Sequence, residues 1–488
     1  MEIEAKAYSG ALAAIMMVLI GCGGGSKETS VPTVHNEWTW MGGADVVDEL
    51  GTYGTEGVAS STNMPGARLW PNYWRDTAGN FWLFGGYGAP SSVGAPRTGY
   101  EGDLNDLWKY SDGKWTWVSG SSHTEQAGVY GTLGIAAPAN VPGARDQAAG
   151  WIDPSGSLWL FGGKGFDSTG TASNLDDLWK YSNGEWTWVG GSSVGAQSGI
   201  VGAFQGAGIY GTQGVAAPSN FPGARVGAST WTDSAGDLWL FGGFGVDANG
   251  TPGDLNDLWK YSDGEWTWMK GSNIADQNGA PQFGVYGTLG IPDSANTPGA
   301  RYGAVSWTDT LGNLWLFGGD GVDVNGQRCQ ETGPPCNLSD LWKYSGGEWT
   351  WMGGSNLNNE PGVFGTKGVA GSNNVPSARD SAVAWVDAGG NYWLFGGIGI
   401  DSSSAWGELS DLWKFSGGEW TWVSGPNTAD QPGSYGTLGT ASSNNLPGCR
   451  IGAAGWPDKS GNLWLFGGDD SLAVAHGGKF NDLWEYKP

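Results

Sequence analysis

The pentapeptide GEWTW occupies residues 184–188 and recurs at 264–268, 347–351 and 418–422, with the close variants GKWTW at 113–117 and NEWTW at 36–40. Tryptophan is a scarce residue, so 32 copies in a chain of 488 residues require a physical reason. Two tryptophans that are two residues apart lie on the same face of a β-strand. The repeated pentapeptide therefore predicts one aromatic strand that the chain uses six times.

A longer unit repeats around this peptide, with a spacing of 71 to 80 residues. In its second copy it contains four short runs, RDQAAGWID, SLWLFGG, LDDLWKYS and EWTWVG, which are separated by turn signals. Runs such as LWLF are apolar on both faces, as expected for a sheet that is covered on both sides. The sequence thus predicts an all-β repeat protein with four antiparallel strands per unit. The units are aligned on Arg68, Arg145, Arg225, Arg301, Arg379 and Arg450.

The repeat accounts for nearly all of the tryptophans. Each unit has five, which in the second copy are Trp151, Trp159, Trp179, Trp186 and Trp188. Only Trp70 and Trp406 fall outside the pattern. A ring that serves catalysis or ligand stacking is needed once, whereas a ring that packs sheet against sheet is needed in every unit. We therefore expect the repeated indoles to be packing residues.

The same residues resemble the kelch repeat. The resemblance lies in the pair Gly162 and Gly163, the tripeptide Asp177-Leu178-Trp179, and Tyr181 followed by Trp188, and its spacing recurs through residues 37–488. It implies a β-propeller similar to the central domain of galactose oxidase. These units are longer than the kelch standard of about 50 residues.

The two ends of the repeat region predict how the ring closes. The chain begins with an isolated fourth run, EWTWM at 37–41, and ends just after a third run, NDLWEY. The first strand is expected to complete the last sheet, which removes an exposed sheet edge. The prediction is a six-bladed propeller.

The N-terminus is typical of an exported protein. Residues 1–21 read as a signal peptide that ends in LIGC at 19–22, and this resembles the lipobox of bacterial lipoproteins, with Cys22 as the acylated residue. An uncleaved hydrophobic anchor is the alternative. Residues 22–36 are expected to be a flexible linker and residues 37–488 the propeller. The resemblance implies a lipid-anchored protein of the bacterial envelope, on the periplasmic side of the outer membrane or at the cell surface.

Charge and cysteines narrow the partners further. A formal net charge of −25 disfavours nucleic acid and anionic lipid, so membrane contact is expected only through the N-terminal lipid, and the protein is expected to be a monomer. Cys329 and Cys336 are six intervening residues apart in RCQETGPPCN, which predicts a loop disulfide in an oxidising compartment, with a metal pair as the alternative. Cys449 replaces the Ala of a recurring PGAR and is expected to be buried.

One end of the propeller is predicted to be rich in loops. The turns between the first and second and between the third and fourth runs are tight, so all extra length falls at the opposite end, where binding loops are commonly carried. The crossing VYGTLGIAAPANVPGAR at 129–145 has five relatives. Their equivalent aromatic residues are either structural or a surface for a protein or glycan ligand. These residues are Tyr53, Tyr130, Tyr210, Tyr286, Phe364 and Tyr435.

The six repeated Arg residues have two competing interpretations. Because each opens the innermost strand, they are candidates for an anion-binding ring at the mouth of the central channel, as in kelch-like propellers that hold acidic ligands. Alternatively, each pairs with one of six repeated Asp residues, since Arg favours bidentate carboxylate geometry. The Asp residues are Asp106, Asp177, Asp257, Asp340, Asp411 and Asp482.

Departures from the repeat predict where one specific partner binds. The crossing from the fourth run to the next Arg has 36 intervening residues before Arg225 and 32 before Arg301, against 27 elsewhere. The loop between the second and third runs is lengthened in the first and fourth units. A preferred partner is therefore expected near the third and fourth units.

Several kinds of chemistry are disfavoured. The copper site of galactose oxidase needs two His and a thioether-forming Cys, whereas this chain has only His35, His123 and His476, in unrelated segments. No metal, cofactor or catalytic residue is expected. The leading hypothesis is a non-catalytic binding or scaffolding module for a protein or glycan. The alternative is a sugar-processing enzyme resembling the kelch-type sialic acid epimerases, with Glu101, Glu331 or Glu408 as the carboxylate at the channel mouth.

Overall fold

The computed structural model describes residues 36–91, 101–195, 206–276, 282–327, 336–470 and 477–488. Within these ranges all regular secondary structure is β, and the strands number 34. None of the described residues forms a helix that could cross a membrane. Cys22 and the rest of the predicted signal peptide, and Cys329, lie outside the described ranges.

Six antiparallel sheets carry the repeated runs in the described part of the chain, and we number them 1 to 6 in chain order. The first strands are Asn72–Arg75, Ala149–Ile152, Ser229–Thr232, Val305–Thr308, Val383–Val386 and Ala454–Pro457. The second strands are Phe81–Gly88, Leu158–Phe161, Leu238–Val246, Leu314–Phe317, Tyr392–Phe395 and Leu463–Phe466. The third strands are Gly102–Ser111, Leu178–Ser182, Pro252–Ser262, Leu341–Ser345, Leu412–Ser416 and Leu483–Lys487. The fourth strands of sheets 1 to 5 are Lys114–Ser119, Glu185–Gly190, Glu265–Lys270, Glu348–Gly353 and Glu419–Ser424, and that of sheet 6 is Glu37–Gly42.

Short strands extend these sheets at the end where the Arg residues lie. In sheets 1 to 5 they pair the segment that begins at the Arg with the continuation of the second strand, as in Arg225 opposite Gly245. Five begin at an Arg, namely Arg68–Leu69, Arg145–Asp146, Arg225–Val226, Arg301–Tyr302 and Arg379–Asp380. The others are Lys164–Phe166, Ala172–Asn174, Asp320–Gly321, Ile398–Ile400 and Trp406–Glu408.

The tryptophans fix the register of the strands. In every sheet the Trp of the first strand lies opposite that of the second strand, as Trp151 does opposite Trp159. The Trp of the third strand lies opposite the second Trp of the fourth, as in Trp179 and Trp188. Directly opposed aromatic pairs stabilise a sheet, and a slip by one residue would turn every ring to the other face. The indole spacing therefore specifies the pairing.

The core consists of apolar clusters between consecutive sheets. Between sheets 1 and 2, for example, Trp74 and Phe84 pack with Leu160, Trp179 and Trp186. Equivalent clusters join sheets 2 and 3, 3 and 4, 4 and 5, and 5 and 6. A further cluster brings Trp456 and Phe466 of sheet 6 against Leu83 and Trp108 of sheet 1. The repeated indoles thus pack sheet on sheet, as expected from their recurrence.

The N-terminal strand belongs to the last sheet. Strand Glu37–Gly42 pairs with Leu483–Lys487, with Trp38 opposite Tyr486 and Trp40 opposite Trp484. The side chain of Trp38 is 1 % exposed. The two ends of the repeat region are therefore hydrogen-bonded to each other.

The long crossings cover the edges of the sheets. In the crossing 129–145, the amide of Gly134 donates to the carbonyl of Trp188 at 2.8 Å, and Asn140 Nδ2 donates to the carbonyl of Trp186 at 3.0 Å. Both carbonyls belong to the fourth strand of sheet 2, which has no further strand beside it. Because unpaired strand edges promote aggregation, covering them is a structural function for the added length.

Candidate functional site

Each repeated Arg is buried in an ion pair. In sheet 3 the two terminal nitrogens of Arg225 donate to the two carboxylate oxygens of Asp257, both at 2.8 Å, and Arg225 also donates to the carbonyls of Gly223 and Gly242. All six pairs have this bidentate geometry at 2.6–2.9 Å, and their side chains are at most 1 % exposed. The pairs are Arg68–Asp106, Arg145–Asp177, Arg225–Asp257, Arg301–Asp340, Arg379–Asp411 and Arg450–Asp482.

The loop aromatics complete the same cluster. Tyr210 Oη and Trp259 Nε1 both donate to Asp257 Oδ2, at 2.6 and 2.7 Å. Burial, and then the charge of the Asp, raises the pKa of the tyrosine. The same tyrosine contact is made by Tyr53, Tyr130, Tyr286 and Tyr435. Five of the Asp residues therefore receive four hydrogen bonds each, which offsets the cost of their burial, whereas Asp411 receives three, from Arg379 and Trp413.

Sheet 5 departs from this pattern at two adjacent places. Phe364 replaces the tyrosine, so Asp411 lacks that hydroxyl donor. Ser377 replaces the glycine that precedes the Arg by two positions in the other units, and Arg379 Nη2 donates to its hydroxyl at 2.9 Å. One buried hydroxyl is lost and another is gained beside the same ion pair.

These contacts decide what the two sets of residues offer to a ligand. The six guanidinium groups face carboxylates inside the protein rather than an open channel mouth. The aromatic rings at 53, 130, 210, 286 and 364 are 4–7 % exposed, and Tyr435 is partly buried. Neither the Arg residues nor the loop aromatics form a ligand surface in this conformation, because both sets of side chains pack around the buried Asp residues.

A ring of backbone hydrogen bonds lies two residues after each Arg. Gln147 donates its amide to the carbonyl of Trp70, Gly227 to Gln147, Gly303 to Gly227, Ser381 to Gly303, and Gly452 to Ser381, at 2.9–3.2 Å. The amide of Trp70 donates to the carbonyl of Gly452 at 2.7 Å. One residue from each repeat is thus linked to the next, and the last is linked to the first.

All six ring residues have left-handed backbone conformations. Three are glycines, Gly227, Gly303 and Gly452, with φ of 60–67°. The other three are Trp70, Gln147 and Ser381, with φ of 51–53°. A left-handed residue with a Cβ costs about 1–2 kcal/mol relative to glycine. Such strained positions often belong to functional sites, so the three side chains are candidates for ligand contacts.

The ring residues line a cavity of about 460 Å³. This volume is within the range of small-molecule sites in proteins. The segments after Arg301 and Arg379 also contribute, with Tyr302 and Asp380, and Asp320 lies on the facing strand. Asp320 directly follows the Gly-Gly pair of the second strand, so the cavity is at the loop-rich end of the protein.

The acidic side of the cavity contains two neighbouring carboxyl groups. Tyr302 Oη donates to Asp320 Oδ2 at 3.3 Å. Burial, and then the charge of Asp320, raises the pKa of Asp380 to about 7. The pKa of Tyr302 is also raised, first by burial and then by Asp320. At neutral pH the carboxyl of Asp380 is therefore partly protonated and can donate as well as accept a hydrogen bond.

A second pair of carboxyl groups lies between sheets 1 and 2. The carboxyl groups of Asp103 and Asp146 are close enough for their charges to interact, and their side chains are mostly buried. Burial raises the pKa of Asp103 to about 6, and burial together with the charge of Asp103 raises that of Asp146 to about 8. Two adjacent carboxylates cannot easily both ionise, so this pair retains a proton near neutral pH. Among the described residues, the repeated Arg side chains at the loop-rich end are all paired with the six repeated Asp residues rather than with these carboxyl groups.

The other sequence candidates have separate locations. Glu101 accepts a hydrogen bond from Lys479 Nζ at 2.7 Å. Glu408 is fully buried, with its Oε2 3.9 Å from Cys449 Sγ. Cys449 is buried, as its place in the PGAR motif predicted. Glu331 and the lengthened segments at 196–205, 277–281 and 328–335 lie outside the described residues.

The cysteines and histidines lie partly outside the described residues, so the disulfide of Cys329 with Cys336 stays a prediction. Cys336 is buried, and Asn358 Nδ2 donates to its sulfur at 3.0 Å, whereas its expected partner Cys329 is outside the described residues. His123 is exposed beside Ser122, and His35 and His476 are outside the described ranges. Among the described residues, no group of three or more His, Cys, Asp or Glu has the arrangement of a metal site.

The sequence analysis missed the cavity residues, although a signal was present. At the second position after the repeated Arg, three repeats have Gly and three have Trp70, Gln147 or Ser381. A position that is Gly in half of the repeats indicates a left-handed conformation. The non-glycine residues at such a position mark a departure from symmetry, which is what a single binding site requires.

These features define an all-β protein of the β-propeller type, built from four-stranded antiparallel sheets. No family model and no curated protein matches the chain. Three similar solved structures are the following. YjhT has a TM-score of 0.45 at 13 % identity, covering 86 % of this chain and 95 % of that chain. A fungal alcohol oxidase of the AA5 family, in complex with copper, has a TM-score of 0.43 at 13 % identity, covering 92 % of this chain and 76 % of that chain. The α-L-arabinofuranosidase arb93a from Fusarium graminearum has a TM-score of 0.47 at 9 % identity, covering 92 % of this chain and 97 % of that chain. No inference about activity follows from these likenesses.

Proposed function

We propose that residues 37–488 form a closed, six-bladed propeller of the kelch type. Three observations support the proposal. Apolar clusters join each sheet to the next and sheet 6 to sheet 1. The backbone ring from Trp70 to Gly452 contains one residue of each repeat. Strand Glu37–Gly42 supplies the fourth strand of sheet 6. We also propose, from the sequence alone, that the protein is a monomer and that it carries a lipid anchor at Cys22.

The propeller is a non-catalytic binding module for a glycan, held outside the cytoplasm. The observation that carries this function is the break in symmetry at the ring, where Trp70, Gln147 and Ser381 replace glycine around a cavity of about 460 Å³. An indole, an amide and a hydroxyl in one cavity suit a ligand with apolar faces and many hydroxyl groups. A protein ligand on the loop-rich end is the less favoured form of the same role.

The charge of the site disfavours an acidic ligand. All six repeated Arg side chains are engaged by Asp, and the loop-rich end presents Asp320 and Asp380 at the cavity. The whole chain carries a formal charge of −25, which repels anions at long range. An uncharged glycan is therefore favoured over a sialic acid or a uronic acid.

A sugar-processing enzyme is the second candidate function. The pKa of Asp380, raised to about 7 by burial and by the charge of Asp320, suits a group that gives or takes a proton near neutral pH. The version that resembles sialic acid epimerases loses support, because the Arg residues it would use are buried in ion pairs. Turnover that Asp380→Asn abolishes, with ligand binding retained, would favour this candidate.

A glycan array tests the proposed function. The full chain is applied to neutral, amino and acidic glycans, and the best ligand is then measured by titration calorimetry. Binding to neutral glycans without any change in the ligand, as judged by mass spectrometry, is the expected result. Binding confined to acidic glycans, or no binding to any glycan, contradicts the proposal.

A further inference from the structure

Trp70 has no architectural equivalent in the other repeats. Thirty of the 32 tryptophans occupy five positions that recur in every unit, and the exceptions are Trp70 and Trp406. The positions equivalent to Trp70 are Gln147, Gly227, Gly303, Ser381 and Gly452, so five repeats build the same ring without an indole. Packing between sheets therefore does not require a ring at residue 70, and another reason for it is needed.

The backbone makes this choice of residue costly. Trp70 has a φ of 52°, a left-handed conformation that a large side chain rarely adopts. Glycine satisfies the same conformation in three repeats. A bulky aromatic residue held there against its preference indicates that the indole itself is used.

Neighbouring residues hold the indole at the cavity. Its Cδ1 and Nε1 lie so close to Gly452 that a Cβ there would approach them within 2.5 and 2.7 Å, so only glycine fits beneath the ring. Trp70 also packs on the apolar cluster of Leu69, Ile398 and Ile451. It remains partly exposed and lines the cavity. These contacts fix a flat apolar surface in a defined place.

Hydrogen-bonding groups lie on the other side of the ring. In the order of the backbone hydrogen bonds, Trp70 is three steps from Gly303 in either direction. Asp380 lies beside Gly303, where a Cβ on the glycine would be 3.4 Å from that of Asp380. Gly227 and Gly303, which have no side chains, line the same cavity as the indole and the carboxyl group, together with Tyr302. Gln147 and Ser381 are at the sides.

We propose that this cavity binds an uncharged pyranose, with the C–H face of the sugar stacked on the indole of Trp70 and its hydroxyl groups bonded to Asp380, Gln147 and Ser381. The inference rests on the proposed function and names its ligand class and its platform. A sugar ring has an apolar face and a polar edge, which match an aromatic plane bordered by an amide, a hydroxyl and a carboxyl group.

An ammonium ligand fits the same residues less well. Aromatic rings do bind cations, but the attraction in such sites is helped by full negative charges around the ring. Here the charged Asp320 accepts a hydrogen bond from Tyr302 Oη at 3.3 Å, the pKa of Asp380 is raised to about 7 by burial and by the charge of Asp320, and Gln147 and Ser381 are neutral. The site therefore offers a mixture of donors and acceptors, as hydroxyl groups require.

Substitution by the residue that the repeat itself uses provides the test. Trp70→Gly keeps the left-handed backbone and removes the indole, so the fold should remain intact. The full chain and this variant are titrated calorimetrically with the neutral oligosaccharide that binds best on the array. We expect at least about a tenfold loss of affinity in Trp70→Gly, as for an aromatic residue at the centre of a binding site. Trp70→Phe, which retains a ring, should lose less.

Trp406→Ala is the matched control. Trp406 is the other tryptophan outside the repeat, is 39 % exposed and is not among the residues that line the cavity, so its loss should leave affinity unchanged. Thermal melting of each variant checks the fold. Unchanged affinity in Trp70→Gly overturns the stacking inference but leaves the glycan-binding function standing. A preference for amino or quaternary ammonium ligands over neutral sugars also overturns it. Absence of glycan binding by the unaltered chain contradicts both proposals.

Discussion

Asp176 is a carboxylic acid at a position where three other repeats have asparagine. Its Oδ1 accepts the amide of Ser192 at 3.1 Å, as Asn105 accepts Ser121 and Asn256 accepts Ser272. Asn105 also donates its side-chain amide to the carbonyl of Pro142, which a carboxylate cannot do. Burial, and then the charge of Asp177, raises the pKa of Asp176 to about 7.

We predict that Asp176→Asn stabilises the protein in a pH-dependent way. The pKa of Asp176 is higher in the folded state than the ordinary 3.8, so the folded protein binds more protons between about pH 4 and 7 and loses stability as the pH rises through that window. Asparagine removes this loss. The variant should equal the parent near pH 4 and exceed its unfolding free energy by about 1–2 kcal/mol above pH 8, as partial exposure reduces the full effect. Urea denaturation at both pH values measures it.

The first repeat supplies the reverse substitution as a control. Asn105→Asp introduces the same carboxyl group at the equivalent place, and it should destabilise the protein at pH 8 and much less at pH 4. Equal unfolding free energies for Asp176→Asn and the parent at pH 8 would contradict the assignment of the raised pKa to a destabilising buried carboxyl group.

The repeated Arg residues illustrate how far single residues can be predicted. Their recurrence and that of six Asp residues were visible in the sequence, and so were both candidate arrangements. The choice between them depends on where each side chain points, which spacing does not specify. The structure has the buried pair, and what joins it is the tyrosine of the crossing loop, as in Tyr210 with Asp257. That contact links segments that spacing alone does not bring together.

At the scale of the element, the crossing loop explains why the repeats have a spacing of 71 to 80 residues, which is long for four short strands. In the crossing 129–145, Tyr130 donates to Asp177, while Asn140 donates to the carbonyls of Trp186 and Ile135. One end of the loop is therefore fastened to the inner ion pair and the other to the outermost strand. The length is structural rather than a free binding loop, which is why its aromatic residues are buried.

We predict that Asn140→Ala loosens this loop without unfolding the sheet. The substitution leaves the carbonyls of Trp186 and Ile135 without their donor, at a cost of about 1–3 kcal/mol. Because the rest of the loop is held by Tyr130, opening should be local. Amide hydrogen exchange, followed by mass spectrometry, should be about tenfold or more faster in residues 129–145 and 185–190.

The other crossings act as internal controls in the same experiment. Asn220 makes the equivalent bonds to Trp266 and Val215, and its loop should exchange at the parental rate in Asn140→Ala. Faster exchange throughout the chain, or no change in residues 129–145, would show that the asparagine is not what holds the loop to the strand edge.

At the scale of the whole molecule, the sheets were more predictable than the cavity. Each strand carries its own indoles, and their spacing fixes both the faces and the register, so the four-stranded sheets follow from local sequence. The cavity is formed by two to four residues from each repeat, such as Trp70, Tyr302 and Asp380. Backbone hydrogen bonds between the repeats bring them together, so the sequence of a single repeat does not show the site. The sign of the site in the sequence was the second position after the repeated Arg, where three repeats have glycine and three have another residue.

The last sheet is where the whole molecule depends on a contact between chain ends. Strand Glu37–Gly42 covers the third strand of sheet 6, and Trp38 is buried in the cluster that includes Trp385, Phe395 and Trp484. The crossing of sheet 6 holds it from the outside, since Asn445 donates to the carbonyl of Trp38 at 3.0 Å and Gly439 to that of Trp40 at 2.8 Å. No covalent connection joins this strand to its neighbour, in contrast to the fourth strands of the other sheets.

We predict that deleting Glu37–Gly42 opens the molecule at this sheet. The deletion removes the packing of Trp38, and the loss of one such indole alone costs about 3–5 kcal/mol. It also exposes the edge of Leu483–Lys487, so the variant should melt at least about 10 °C lower and aggregate more readily. A synthetic peptide with the sequence of residues 36–43 should restore part of the melting temperature, because the groove and the edge it occupies persist. The same peptide with Trp38→Ala should restore much less. Melting of the deletion variant at the parental temperature would mean that strand Glu37–Gly42 does not stabilise sheet 6.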